Sequence, residues 1–107
     1  MLTLEETAAA GGGDRSLDVL FAVLTDAARP RVHALMDEAR AAGVRSDAAY
    51  GGRRLKRALE LADRRGARTA VIVGDDEWST DEATLRDMTS GEQRRVALER
   101  LVEELST

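Results

Sequence analysis

Apolar residues are arranged along this chain in two kinds of pattern. Two short runs, Leu17–Leu24 (LDVLFAVL) and Thr69–Val73 (TAVIV), are almost continuously apolar over the length of a strand. Such runs predict strands buried on both faces, the habit of parallel sheets. Elsewhere the apolar residues recur at helical spacing. Ala28, Val32, Leu35, Met36 and Ala39 make one stripe, which Thr25 and Asp26 can cap and Gly43 can stop. Pro30 fits that helix only in its first turn, where its missing N–H costs no helical bond. Leu55, Ala58, Leu59 and Ala62 make a second stripe over about Arg53–Arg65, opened by Gly51–Gly52 and ended by Gly66. Val44–Ala49 reads as a second, weaker strand. Ala83–Met88 and Gln93–Val96 flank Thr89-Ser90-Gly91-Glu92, which has the length and chemistry of a hairpin loop. Leu98, Leu101, Val102 and Leu105 give a last helix its apolar face.

The order is therefore β-α-β-α-β, then a hairpin, then a helix. Strand–helix alternation implies an α/β fold with parallel strands and right-handed crossovers, and the hairpin adds an antiparallel part. The expected architecture is a mixed five-stranded sheet, three parallel strands plus the hairpin, packed by three helices. With 107 residues there is room for one domain. Residues 1–15 read as a tail or linker, helical at first and broken at Gly11–Gly13, and residues 16–107 as the domain.

Composition narrows the chemistry. Cysteine is absent, which excludes disulfides and thiolate metal sites, and the single His33 weakens any zinc reading. No apolar run approaches the ~20 residues that span a bilayer, and no N-terminal basic region precedes an apolar stretch. These features predict a cytoplasmic protein without a membrane partner. The net charge of −4 disfavours a general nucleic-acid binder, because phosphate affinity needs cationic surface. The distribution qualifies that. Seven of the sixteen cations fall between Arg53 and Arg68, so a basic face can exist on an acidic domain.

Nucleotide chemistry finds no support. The turn after the first strand, Leu24-Thr25-Asp26-Ala27-Ala28, has no glycine to bring backbone N–H groups to a phosphate. Gly51-Gly52 is followed by neither a second glycine pair nor a lysine in P-loop register. A Ser-His-Asp arrangement would have to use His33, which reads as a surface or boundary residue of the first helix, away from the strand ends. Asp75, Asp76 and Glu77 could suggest a Mg²⁺ site, but consecutive carboxylates in a turn usually face solvent. No catalytic residue, cofactor or metal is expected on this chain. The helix that starts near Arg53 has two readings, a salt-bridged surface with Lys56–Glu60 and Glu60–Arg64 pairs, or an RNA contact. Arg grips phosphate bidentately or stacks on a base, and Arg53 and Arg54 stand at a helix N-terminus. Trp78 either stacks an unpaired base or covers the adjacent hairpin.

Three stretches in order, GGRRLKRALELADRRGAR, AVIVGDDE and TLRDMTSGEQ, resemble the C-terminal anticodon-binding domain of class IIa aminoacyl-tRNA synthetases. The wording is most similar to the histidyl-tRNA synthetases, and the likeness runs from about Leu17 to Leu105. It implies binding to the anticodon stem-loop of a histidine-type tRNA. Glu77 and Arg86 are then the base-reading positions, with Thr84 on the face of Arg86 and opposite Ala83 and Leu85. Arg53, Arg54 and Lys56 are the phosphate or loop contacts, and Trp78 is a further candidate. A carboxylate can accept from base N–H groups, and Arg can donate to base carbonyl and ring nitrogens. Met1–Glu6 looks like the end of a last catalytic helix, so the chain is expected to be a fragment that lacks its catalytic domain. The resemblance reserves ATP, Mg²⁺ and a homodimer for the complete histidine–tRNA ligase. A free-standing paralogue serving as a protein–protein or regulatory module is the alternative.

Overall fold

The computed structural model describes residues 17–50 and 55–106. The first strand, β1 (Val19–Val23), is buried at every position, as its unbroken apolar run requires. It lies between β2 (Ser46–Ala49) and β3 (Thr69–Val73), and the hairpin of β4 (Glu82–Asp87) and β5 (Gln93–Ala97) extends the sheet to the order β2-β1-β3-β4-β5. The first three strands run parallel, with Val19 opposite both Ser46 and Thr69. β4 is antiparallel to β3 and to β5, with Ile72 opposite Thr84 and Thr84 opposite Arg95. This is the expected mixed sheet of three parallel strands plus a hairpin.

The helices also follow the sequence, with three differences. α1 (Arg29–Ala41) carries Pro30 in its first turn, and Gly43 at φ +91° turns the chain after it. Thr25 makes no side-chain capping bond. Instead a 3₁₀ turn over Asp26–Ala28 leads into the helix. α2 is described over Leu55–Arg64. The acidic stretch expected as a turn is a short helix, α3 (Asp75–Ser79), with Asp75, Asp76 and Glu77 in its first turn. Carboxylates are favoured there by the positive end of the helix dipole, which gives that run of acids a structural reason. The last stripe divides into a 3₁₀ turn (Leu98–Arg100) and α4 (Leu101–Leu105).

Alternation along the strands separates two cores. On one face Val19, Phe21, Val23, Val71, Val73, Ala83, Leu85 and Val96 meet Val32, Leu35, Met36 and Ala39 of α1 and Leu98 and Leu101 at the C-terminal end. On the other face α2 lays Ala58 and Ala62 over Leu20, Ala22, Ala70 and Ile72. That second cover is narrower. On the α2 side β4 and β5 carry Glu82, Thr84, Arg86, Gln93, Arg95 and Ala97, paired across the hairpin, all but Ala97 polar and Thr84 buried. His33 is exposed on α1, the surface position expected of it.

Candidate nucleic-acid interface

The site assigned from sequence begins where β3 ends. Gly74 leaves the strand and Glu77, in the first turn of α3, folds its side chain back over it. Glu77 Oε1 accepts the Gly74 N–H at 3.0 Å, and Oε2 accepts the Thr84 hydroxyl at 2.8 Å. A Cβ at position 74 would lie 3.1 Å from Oε1, closer than such contacts normally come, so glycine permits this closure. Burial pushes the Glu77 carboxyl up. The Thr84 hydroxyl, the backbone N–H groups of Glu77 and Gly74 and the charge of Arg95 outweigh it and hold the carboxyl below the usual carboxylate range. Glu77 is thus an ionised group tying α3 to β4. An ionised carboxylate has about four lone-pair sites, and the Thr84, Gly74 and Glu77 donors take up most of them.

Register places the other candidates. Thr84 and Arg86 share the α2 side of β4, while Ala83 and Leu85 point into the core beneath α1 and α4. This is the facing the alternation predicts. The structure joins Thr84 to Glu77 and leads Arg86 away from both. The Arg86 guanidinium reaches toward the hairpin turn, where a Cβ on Gly91 would lie 3.7 Å from Nη2. Among the described residues Arg86 has no ion-pair partner. Glu77 on α3 and Arg86 on β4 are therefore separated, the first bonded to Thr84 and the second turned toward the hairpin loop.

Sequence reasoning missed Arg95 and Gln93. Arg95 lies opposite Thr84, donates to Glu82 Oε1 at 3.0 Å and reaches Thr80 Oγ1 at 3.5 Å. Gln93 lies opposite Arg86. Counting back from the hairpin loop with a period of two would have put both on the Thr84 face. The turn itself is fastened by Asp87, whose Oδ1 accepts the Thr89 N–H at 2.8 Å and the Ser90 N–H at 3.1 Å. The Ser90 and Thr89 N–H groups hold that carboxyl below its ordinary range.

Lys56 and Arg57 are exposed on α2, on the side of the sheet that carries Thr84 and Arg86. Arg53 and Arg54 lie outside the described residues, as does the proposed tail of residues 1–15. The Lys56–Glu60 and Glu60–Arg64 pairs do not close, so the basic residues of α2 are not spent on them. Trp78 is half-buried and packs on the core beneath α1 and α4.

The same set of elements is found in known proteins. A family model described as the anticodon binding domain matches residues 18–107. The chain is 41% identical over 102 residues to histidine–tRNA ligase of Nocardia farcinica, covering 95% of this chain and 24% of that protein. Among solved structures, apo histidyl-tRNA synthetase of S. aureus superimposes with a TM-score of 0.77 at 29% identity, over 87% of this chain and 24% of that one. The RNA binding domain of threonyl-tRNA synthetase from Cryptosporidium parvum does so at 0.72 over 84% of this chain and 23% of that one, and at 14% identity it shares the fold alone. The chain spans about a quarter of the length of the ligases it matches. With that family's model matched over the whole strand, helix and hairpin order, this chain belongs to the anticodon-binding domain family.

Proposed function

We propose that this domain binds the anticodon stem-loop of a histidine-accepting tRNA, as the anticodon-reading part of a longer histidine–tRNA ligase. The observation that carries this reading is the open polar face of β4 and β5 beside α2. There Arg86, unpaired among the described residues, stands with the exposed Gln93 and Arg95, beside the buried Thr84 and next to a helix that exposes Lys56 and Arg57. In this reading Arg86 donates to base edges. Glu77 fixes the α3–β4 corner and offers its remaining acceptor site to a base. Lys56, with Arg53 and Arg54, contacts the phosphate backbone. Aminoacylation, with its ATP and Mg²⁺, belongs to the catalytic part of the longer protein.

Fluorescence anisotropy with a labelled histidine-type anticodon stem-loop tests this. Arg86→Ala should weaken binding by about 1–3 kcal/mol and relax discrimination against a scrambled anticodon. Arg53→Ala should instead lower the slope of affinity against salt by about one. Equal binding of the unmodified chain to cognate and scrambled loops at moderate salt would overturn the reading.

A further inference from the structure

The charges of α2 are not spread evenly around it. Ala58 and Ala62 face the sheet. On one flank Lys56 stands with Glu60 and Asp63 beside Leu55 and Leu59. The other flank carries Arg57 and, two turns on, Arg64 and Arg65. Arg65 fixes the direction of that flank, because its Nη1 lies 3.3 Å from Asp47 Oδ2 on β2. The arginines therefore point to the β2 edge of the sheet, and Glu60 and Asp63 lie away from it. Asp47 lies opposite Leu20, which packs with Ala62, so Arg65 and Asp47 meet on the side of the sheet that also carries Arg86.

Two more arginines reach the same edge. Arg40, in the last turn of α1, donates Nε and Nη2 to the Ser46 carbonyl at 3.1 and 2.8 Å. Arg45, just before β2, has its Nε 3.7 Å from Asp18 Oδ2. Arg40, Arg45 and Arg65 line one hollow with Gly43 and Ser46. Five arginines are thus gathered where two carboxylates, Asp18 and Asp47, touch them, in a chain whose net charge is −4. A cation at a helix C-terminus also answers the helix dipole, which gives Arg40 and Arg64 a structural role. It gives none to Arg45 or Arg57. Arg57 and Arg64 are exposed and have no ion-pair partner among the described residues.

The edge is closed to a protein strand. The Arg45 carbonyl accepts the Asp18 and Val19 N–H groups of the β1 side, so by alternation Ser46 and Ala48 direct their backbone groups outward. Arg40 takes the Ser46 carbonyl, and Asp47 Oδ1 accepts the Ala48 N–H at 2.8 Å. Side chains on those groups block strand addition. What the edge still offers is guanidinium N–H groups, whose fork matches phosphate oxygens.

We propose that the β2 edge is a phosphate-backbone contact for RNA, formed by Arg40, Arg45 and Arg65 around the hollow and continued along α2 by Arg64 and Arg57. This rests on the RNA-binding reading given above. β2 and β4 are separated by β1 and β3, so at ~4.8 Å per strand the contact lies about 14 Å from the β4 face. It holds the backbone without choosing sequence, and base choice stays with β4.

The experiment is a salt series of anisotropy titrations of the full chain with the histidine-type anticodon stem-loop and with a scrambled loop. The double variant Arg57→Ala/Arg64→Ala should lower the slope of log affinity against log salt by about two, and should weaken both RNAs by the same factor. Arg57→Lys/Arg64→Lys keeps the charges and should keep the slope. Circular dichroism checks that each variant is folded. An unchanged slope in the alanine variant, with Arg86→Ala still weakening binding, refutes the edge and leaves the anticodon reading standing. A lowered slope in a chain that does not distinguish cognate from scrambled loop supports the edge and overturns anticodon reading. Poly-glutamate should displace the scrambled loop poorly. Displacement at equal charge concentration would assign the edge to an acidic protein surface instead. No binding of either RNA by the unmodified chain overturns both.

Discussion

The two faces of this sheet are covered to different extents. Beneath α1 and α4 sixteen buried residues form one continuous core that spans β1, β3, β4 and β5. Beneath α2 the buried residues fall into groups of five and three, most of them alanines, and they stop at β3. The hairpin therefore has one dry face and one wet face. Burial of large side chains holds the fold on the first, which frees β4 and β5 to carry polar groups on the second. A binding surface can be placed there at little cost to stability.

Mutations should show this asymmetry. Phe21 is fully buried in the larger core, and Phe21→Ala should cost about 3–5 kcal/mol through lost transfer energy and the cavity left behind. Urea denaturation measures it. A loss below about 1 kcal/mol would mean that the two cores share the load.

A smaller effect belongs to the corner where the faces meet. Glu77→Ala removes the bonds to Gly74 and Thr84 and should destabilise by about 1–2 kcal/mol, the scale of a lost helix-terminal cap. Its pH dependence has a definite sign. The folded carboxyl lies below its ordinary range, so its contribution is full above the unfolded value, near 4.3, and is lost as pH falls through the folded value. Glu77→Gln should accordingly flatten the acid limb of a stability–pH profile, while Asp87, lowered in the same sense, keeps part of it. An unchanged acid limb would assign the limb to other carboxylates.

The smallest expected change is on the wet face. Gln93→Ala, at an exposed position opposite Arg86, should alter stability by no more than about 0.5 kcal/mol. Thermal unfolding should show nearly superimposed curves. A marked drop in Tm would show that the polar face is structural, and would weaken its assignment as a binding surface.

Much of this was legible in the chain. An unbroken apolar run such as Leu17–Leu24 can satisfy both faces of a strand only inside a sheet, so β1 and β3 were evident. The alternation Ala83, Thr84, Leu85, Arg86 fixed which of these residues face the core. The short helix α3 was not legible, because five residues carry too little periodicity, and its acids read equally well as a turn. Arg95 was hidden for another reason. Its neighbours Thr84 and Glu82 are more than ten residues away in sequence, and only the hairpin register brings them together.

What the sequence determined by itself is therefore the list of elements, their facing and the likeness to anticodon-binding domains, because local periodicity and turn chemistry act over a few residues. The tertiary structure decided how the candidate groups are used. It folded Glu77 inward onto Gly74 and Thr84, turned Arg86 toward the hairpin, packed Trp78 on the core and gathered Arg40, Arg45 and Arg65 at the edge of β2. Each of those outcomes depends on which strands and helix ends become neighbours in space. That is fixed by the burial of two sheet faces of unequal width, and no single stretch of the chain encodes it.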